Sequence, residues 1–122
     1  MRSRLLIALT TTCAVALPTA AYAANRSPGH LYVGEAVASI REHNRQVGDL
    51  TDYAYERTRV GRCRRITYMR VKCTGEAEYT SYDDGSTAFC RGIYQVTESA
   101  TTGRHEVLLR GRISCAENSI FD

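Results

Sequence analysis

From Leu31 onward, apolar residues recur at helical spacing. Leu31, Val33, Ala36, Val37, Ile40 and Val47 fall on one side, and Glu35, Arg41, Glu42 and Arg45 largely on the other. Ser27 before Pro28 reads as an N-cap followed by the first helical position. Gly48 reads as the C-terminal cap. The pattern predicts one amphipathic helix over residues 28–47. Gly34 inside it costs up to ~1 kcal/mol relative to alanine, which allows the helix to begin after it.

Beyond Gly48 the period changes to two. In YMRVKCTGEAEYT, Met69, Val71, Cys73, Gly75, Ala77 and Tyr79 share one face, and Arg70, Lys72, Thr74, Glu76, Glu78 and Thr80 share the other. This is the signature of a half-buried strand. Asp83-Asp84-Gly85 signals a turn, and AFCRGIYQVTE follows with Cys90, Gly92, Tyr94 and Val96 inward. Thr101-Thr102-Gly103 turns the chain again, and HEVLLRGRISC returns with Val107, Leu109, Gly111, Ile113 and Cys115 inward. The first strand, about Asp52 to Cys63, is less regular. Tyr53 and Tyr55 alternate, but Arg57 and Arg59 then point inward unless a bulge near Gly61 intervenes.

Four strands in a meander place Cys63, Cys73, Cys90 and Cys115 on the inner face. A hairpin centred near Tyr68 sets Cys63 opposite Cys73, and one centred near Thr102 and Gly103 sets Cys90 opposite Cys115. The hairpin through Asp84 sets Cys73 opposite Gln95, which disfavours a Cys73–Cys90 bridge. Cys63–Cys73 and Cys90–Cys115 are therefore the expected disulfides. The predicted fold is α+β: an N-terminal helix packed on a four-stranded antiparallel meander over about 52–116, a cystatin-like roll.

The amino-terminal residues follow a different pattern. Arg2 and Arg4 precede an apolar run, LLIAL then CAVAL, interrupted by threonines and ended by Pro18. Ala21-Tyr22-Ala23 supplies a small-x-small exit, so residues 1–23 are expected to be a signal peptide cleaved after Ala23. The apolar run is shorter than the ~20 residues needed to span a bilayer. Residues 24–122 then form a single exported domain, secreted or held in the cell envelope, with no membrane span after cleavage.

Cleavage changes the charge picture. The whole chain of 122 residues carries 16 basic and 13 acidic side chains. Without Arg2 and Arg4 the balance is fourteen to thirteen, a net charge of +1. Charge alone does not make this a nucleic-acid or membrane binder. Four cysteines in a short exported chain, with no C-x-x-C pair, point to structural bridges rather than redox or zinc chemistry.

No catalytic constellation is expected. His30, His43 and His105 are scattered over helix and sheet; His43 is expected on the polar side of the helix near its C-terminus, and His105 in solvent at the start of the last strand. Glu76 and Glu78 share a strand face but are expected on the exposed side, unlike the facing carboxylates of a glycosidase. Asp83-Asp84-Gly85 lacks the spaced ligand ladder of a calcium loop. No metal or cofactor is expected.

The concentrated feature is basic. Arg57, Arg59, Arg62, Arg64, Arg65, Arg70 and Lys72 occur within residues 57–72 with no acid among them. Arg62, Arg64, Arg70 and Lys72 are the expected binding residues, on the outer face of the hairpin and turned toward an acidic protein, a phosphate or a polyanionic wall. The competing expectation is a solvated face whose arginines pair across strands with Glu76, Glu78 and Glu106.

The pattern C-R-R-x-T-x-x-R-V-x-C at Cys63 to Cys73, after a helix and before two further cysteines, resembles small exported domains of high-GC bacteria, especially actinobacteria. That resemblance implies fold and export rather than activity. A second resemblance is to the Streptomyces subtilisin-inhibitor family, exported proteins of like size with two successive disulfides. It implies a reactive loop just after the third cysteine, here Cys90-Arg91-Gly92-Ile93-Tyr94. The spacing differs, and no proline braces that segment. The expected function is a non-enzymatic exported binding or structural module, with protease inhibition as the alternative.

Overall fold

The computed structural model describes residues 17–22 and 26–121. In chain order the elements are β1 (Leu17–Tyr22), α1 (Val33–Asp49), β2 (Tyr53–Thr67), β3 (Arg70–Ser81), β4 (Thr87–Glu98) and β5 (Arg104–Ala116). The strands form one antiparallel sheet in the order β1-β5-β4-β3-β2. Strands β2 to β5 are the predicted meander, and α1 crosses its inner face. β1 comes from the segment expected to be the end of the leader; the rest of that segment and the bond after Ala23 lie outside the described residues.

Both disulfides are present as the register requires. Cys63 is opposite and bonded to Cys73, and Cys90 is opposite and bonded to Cys115. Closing loops of these lengths is worth about 2.7 and 3.5 kcal/mol by the chain-entropy estimate. Each bridge serves a different part of the core. Cys63 and Cys73 pack with Leu31, Ala36, Ile40, Val71, Tyr94, Val96 and Val107. Cys90 packs with Tyr53, Ala77 and Tyr79, flanked by Val47, Tyr55, Ala88 and Ile113.

Bulges repair the parity of the irregular strands. In β2 the register shifts between Tyr55 and Arg57 and again between Val60 and Cys63. The second is the bulge expected near Gly61. The first turns Arg57 outward, where it pairs with Glu78. In β5, Gly111 to Ile113 together face Gly92, since Arg91 is opposite Ser114 and Ile93 opposite Arg110. Two extra residues preserve parity, so Ile113 still points into the core, and Gly111 takes a φ of 72° to make the bend. Cys73 faces Tyr94 rather than Gln95. Both side chains belong to the inner face, and a one-residue slip would have set an inner residue against an outer one.

The helix departs from its predicted ends. Ser27-Pro28 does not start it; residues 26–32 form an irregular lead instead. Tertiary bonds outcompete the local cap: Gly29 and His30 donate their N–H groups to Glu98, and Leu31 donates to the Tyr68 carbonyl at 2.7 Å. The helix starts at Val33, where Glu35 accepts from the Tyr32 N–H at 3.2 Å in capping-box fashion. Gly48 lies inside the helix rather than capping it. A Cβ there would sit 2.8 Å from the Tyr55 Cβ and 3.2 Å from its backbone nitrogen, so the glycine lets α1 touch β2. Gly48→Ala is therefore expected to lower stability by about 1–3 kcal/mol despite alanine's better helix propensity. A urea midpoint equal to or above the parent's would contradict this.

The buried stripe of α1 is more polar than the apolar spacing suggests. It comprises Ala36, Ser39, Ile40, His43, Asn44 and Gly48, whereas Val33 is exposed. Asn44 joins the two core clusters: it donates to the Thr58 hydroxyl at 2.9 Å, and it accepts from the Tyr94 hydroxyl at its side chain and from the Tyr79 hydroxyl at its carbonyl. Burial pushes both tyrosine hydroxyls up, so they remain donors at any physiological pH. His43, expected on the polar side of the helix, is instead 1 % exposed and edge-on to Tyr94. Neither ring nitrogen has a hydrogen-bond partner.

Candidate functional site

Alternation on β3 sends Lys72 and Thr74 to the face opposite the helix. Directly across from Lys72 on β2 is Arg64, and across from Thr74 on β4 is Ile93, which in turn faces Arg110 on β5. With Arg62, from the β2 bulge, these residues and Gly111 line an open depression of about 490 Å³. The two bulges make the hollow by twisting β2 and β5 away from the flat ladder between them.

Four cations thus surround a partly exposed isoleucine. Among the described residues, none of Arg62, Arg64, Lys72 or Arg110 forms an ion pair. The Arg62 N–H donates to the Thr74 hydroxyl oxygen at 3.1 Å, which leaves the hydroxyl hydrogen available to a ligand. Beneath the site the Cys63–Cys73 bridge fixes β2 to β3.

Three of the four expected binding residues line the depression. Arg70 belongs to the same outward parity of β3 but does not line it. Arg110 was not expected, because it lies outside the basic run of residues 57–72 and joins the others only through the β4–β5 register. The expected pairing of arginines with acids holds for part of the face. Arg57 pairs with Glu78 and Arg91 lies 3.7 Å from Glu76, while Arg65 turns back to the carbonyls of Leu31, Thr67 and Tyr68.

Glu76 corrects an expectation. It is on the outer face, but it is 2 % exposed because the tail after Cys115 folds over it. The Ser119 hydroxyl and the Ile120 N–H donate to its carboxylate, Arg91 donates to the Asn118 carbonyl, and the Phe121 ring lies against Gly61 beside Thr74. Glu76, two positions along β3 from Thr74, is thereby occupied by its own chain.

A second polar cluster lies under the helix. Ser39 Oγ is 2.6 Å from His105 Nδ1, and His105 Nε2 is 2.9 Å from Glu98 Oε1. His105, expected in solvent, is 2 % exposed because it has inward parity on β5. The hydroxyl–imidazole–carboxylate order is that of an acyl-transfer triad, but Ser39 has no exposed surface for a substrate to reach. Arg26 caps the cluster, bridging Glu35 and Glu98. Glu35, Glu98 and His105 have ligand atoms within 4.8 Å of one another, yet the Arg26 guanidinium already supplies the compensating cation there. Although burial works to raise the Glu98 carboxyl, bonds from Arg26, the Gly29 N–H and His105 hold it down to about 2. The cluster is an anchor for the lead into α1.

The segment expected to be an inhibitory loop, Cys90 to Tyr94, is the middle of β4, paired with β3 on one side and β5 on the other. It does not protrude. No protein-family model, curated protein or solved structure matches the chain. The two disulfides belong to an oxidising environment, and among the described residues no helix is long and apolar enough to cross a membrane.

Proposed function

We propose that the chain is an exported, non-enzymatic binding module that holds a phosphate-bearing polymer of the cell envelope in the depression on its outer sheet face. The observation that carries this reading is the set of four cations, Arg62, Arg64, Lys72 and Arg110, gathered from three strands with no acid among the described residues paired to them. Three are arginines, whose planar forks match phosphate oxygens two at a time. Ile93 gives the apolar part of a repeating unit a surface to lie on. Export is supported by the two disulfides and by the basic, apolar and small-residue order of residues 1–23. The resemblance to exported four-cysteine domains of high-GC bacteria agrees with it.

Retention on immobilised polyphosphate tests the reading. Four phosphate contacts predict a salt slope near −3, so affinity falls about 50-fold between 50 and 200 mM salt. Reversal of the rim in R62E/R64E/R110E is expected to abolish retention, while R70E, on the same face but outside the depression, weakens it only slightly. Equal retention of parent and triple variant would reject the site.

A further inference from the structure

β5 has two edges, and they are filled differently. Along one, β4 pairs with it over most of its length. Along the other, among the described residues, only β1 is seated, antiparallel, with Leu17 opposite Val107, Pro18 opposite Glu106 and Tyr22 opposite Arg104. That edge therefore accepts an antiparallel strand over residues 104–107. If residues 1–23 are removed on export, the same stretch presents a row of unpaired backbone groups, a template for another strand.

We infer that in the exported protein this edge is closed by the β5 strand of a second copy. Its own side chains select that partner. In an antiparallel pair, directly opposite residues share a face, and a two-fold axis must pass through the contact. With the axis at His105, Arg104 of each copy faces Glu106 of the other, two opposite-charge pairs on the exposed face. An axis at Arg104 would set arginine against arginine, and one at Glu106 would set glutamate against glutamate. An axis at Val107 would bring Arg104 against Arg110. Among axes within the 104–107 edge that β1 fills, only the His105 register joins unlike charges without opposing like ones. It also keeps His105 and Val107 on the covered inner face, where they already lie.

The dimer has a functional consequence. The two-fold axis runs normal to the sheet, so the outer faces of both copies lie on the same side. Two basic depressions then share one continuous eight-stranded sheet, and a polymer engaging both binds with an avidity about 10²–10⁴ above a single site. The inference rests on the proposed function only through removal of residues 1–23.

The test uses the full chain, produced through a secreting host, with intact mass and sedimentation measured on the recovered protein. The expected product begins at Ala24 and sediments as a dimer. R104E and E106R singly, each creating two like-charge contacts, are expected to weaken the dimer about tenfold or more. The double variant R104E/E106R, which restores both pairs with the charges exchanged, is expected to return it. Both side chains are exposed, and circular dichroism checks that each variant keeps the fold. A product beginning at Ala24 that stays monomeric overturns the inference, as does a dimer indifferent to the single reversals. A product that retains residues 17–22 overturns it too, because the edge stays filled; the mass distinguishes this failure, which belongs to the export reading, from failure of the dimer itself.

Discussion

Glu98→Ala is expected to be among the most damaging single substitutions in the domain, costing about 3–5 kcal/mol, because it leaves buried partners uncompensated. The Glu98 carboxylate has no exposed side-chain surface. It accepts from the Arg26 guanidinium, from the Gly29 and His30 N–H groups, and from His105 Nε2. Without it, two backbone donors in the lead to α1 lose their acceptor and the Ser39–His105 pair loses its far end. For a domain of this size the loss corresponds to a fall in Tm of roughly 15 °C or more. Glu98→Gln keeps an oxygen acceptor without the charge and is expected to recover part of the loss. A Glu98→Ala variant within about 1 kcal/mol of the parent, an effect ordinary for any substitution, would show that the cluster does not anchor the lead.

Acidification is expected to destabilise the fold in two separate steps. Burial pushes the His43 imidazole down to about 4, whereas in the unfolded chain it titrates near 6.5. Between those values the unfolded state binds a proton that the folded state refuses, so stability rises with pH across the window. Read downward, it is lost as pH falls from about 6.5 to 4, some 3 kcal/mol in all at 1.4 kcal/mol per unit. Glu98 acts lower. Its folded pKa of about 2 lies below the ordinary carboxylate value, so its contribution is intact above pH 4.5 and is lost as pH falls from there toward 2. His43→Leu removes the first step only. It also removes two unpartnered buried nitrogens, so at pH 7 it is expected to stabilise by about 1–3 kcal/mol. Urea midpoints from pH 7 to pH 3 separate the steps. A His43→Leu variant that keeps the parent's slope between pH 6.5 and 4 would show that His43 is not the group responsible.

The fold was legible wherever alternation was strict. In β3 and β4 the inner sets were readable residue by residue, and in β5 for all but Gly111, which the bulge turns toward the outer depression. The Cys63–Cys73 pairing followed from its hairpin centre, whereas Cys90 meets Cys115 because the two-residue bulge offsets a last hairpin centred between Thr101 and Thr102 rather than between Thr102 and Gly103. Legibility failed where a long-range bond overrides a local preference. Ser27-Pro28 has the chemistry of a helix start, but the backbone of the lead is claimed by Glu98, some seventy positions away. Gly48 resembles a cap and is a contact glycine, which only the position of Tyr55 reveals.

The polar interior was partly available from parity. Glu98 continues the inward series of Tyr94 and Val96, and His105 begins the one that continues at Val107. Two charged or titratable residues at inward positions beside one tight turn are a signal for a buried pair. His43 carried less signal, since its helical neighbours Ser39 and Asn44 are also polar and the buried stripe therefore resembles a solvated one. At the basic site the hairpin residues were visible as a run. Arg110 was not, because it lies far along the chain from that run and joins it only through the β4–β5 register that sets it opposite Ile93.

The most direct test of the proposal that the outer depression binds anions is a residue-resolved titration of the disulfide-intact protein with short-chain polyphosphate, followed by backbone amide shifts. Shifts are expected to concentrate at Arg62, Arg64, Lys72, Thr74, Ile93, Arg110 and Gly111, with α1 undisturbed. Shifts centred on α1 or on the hairpin tips, or none at low salt, would contradict it.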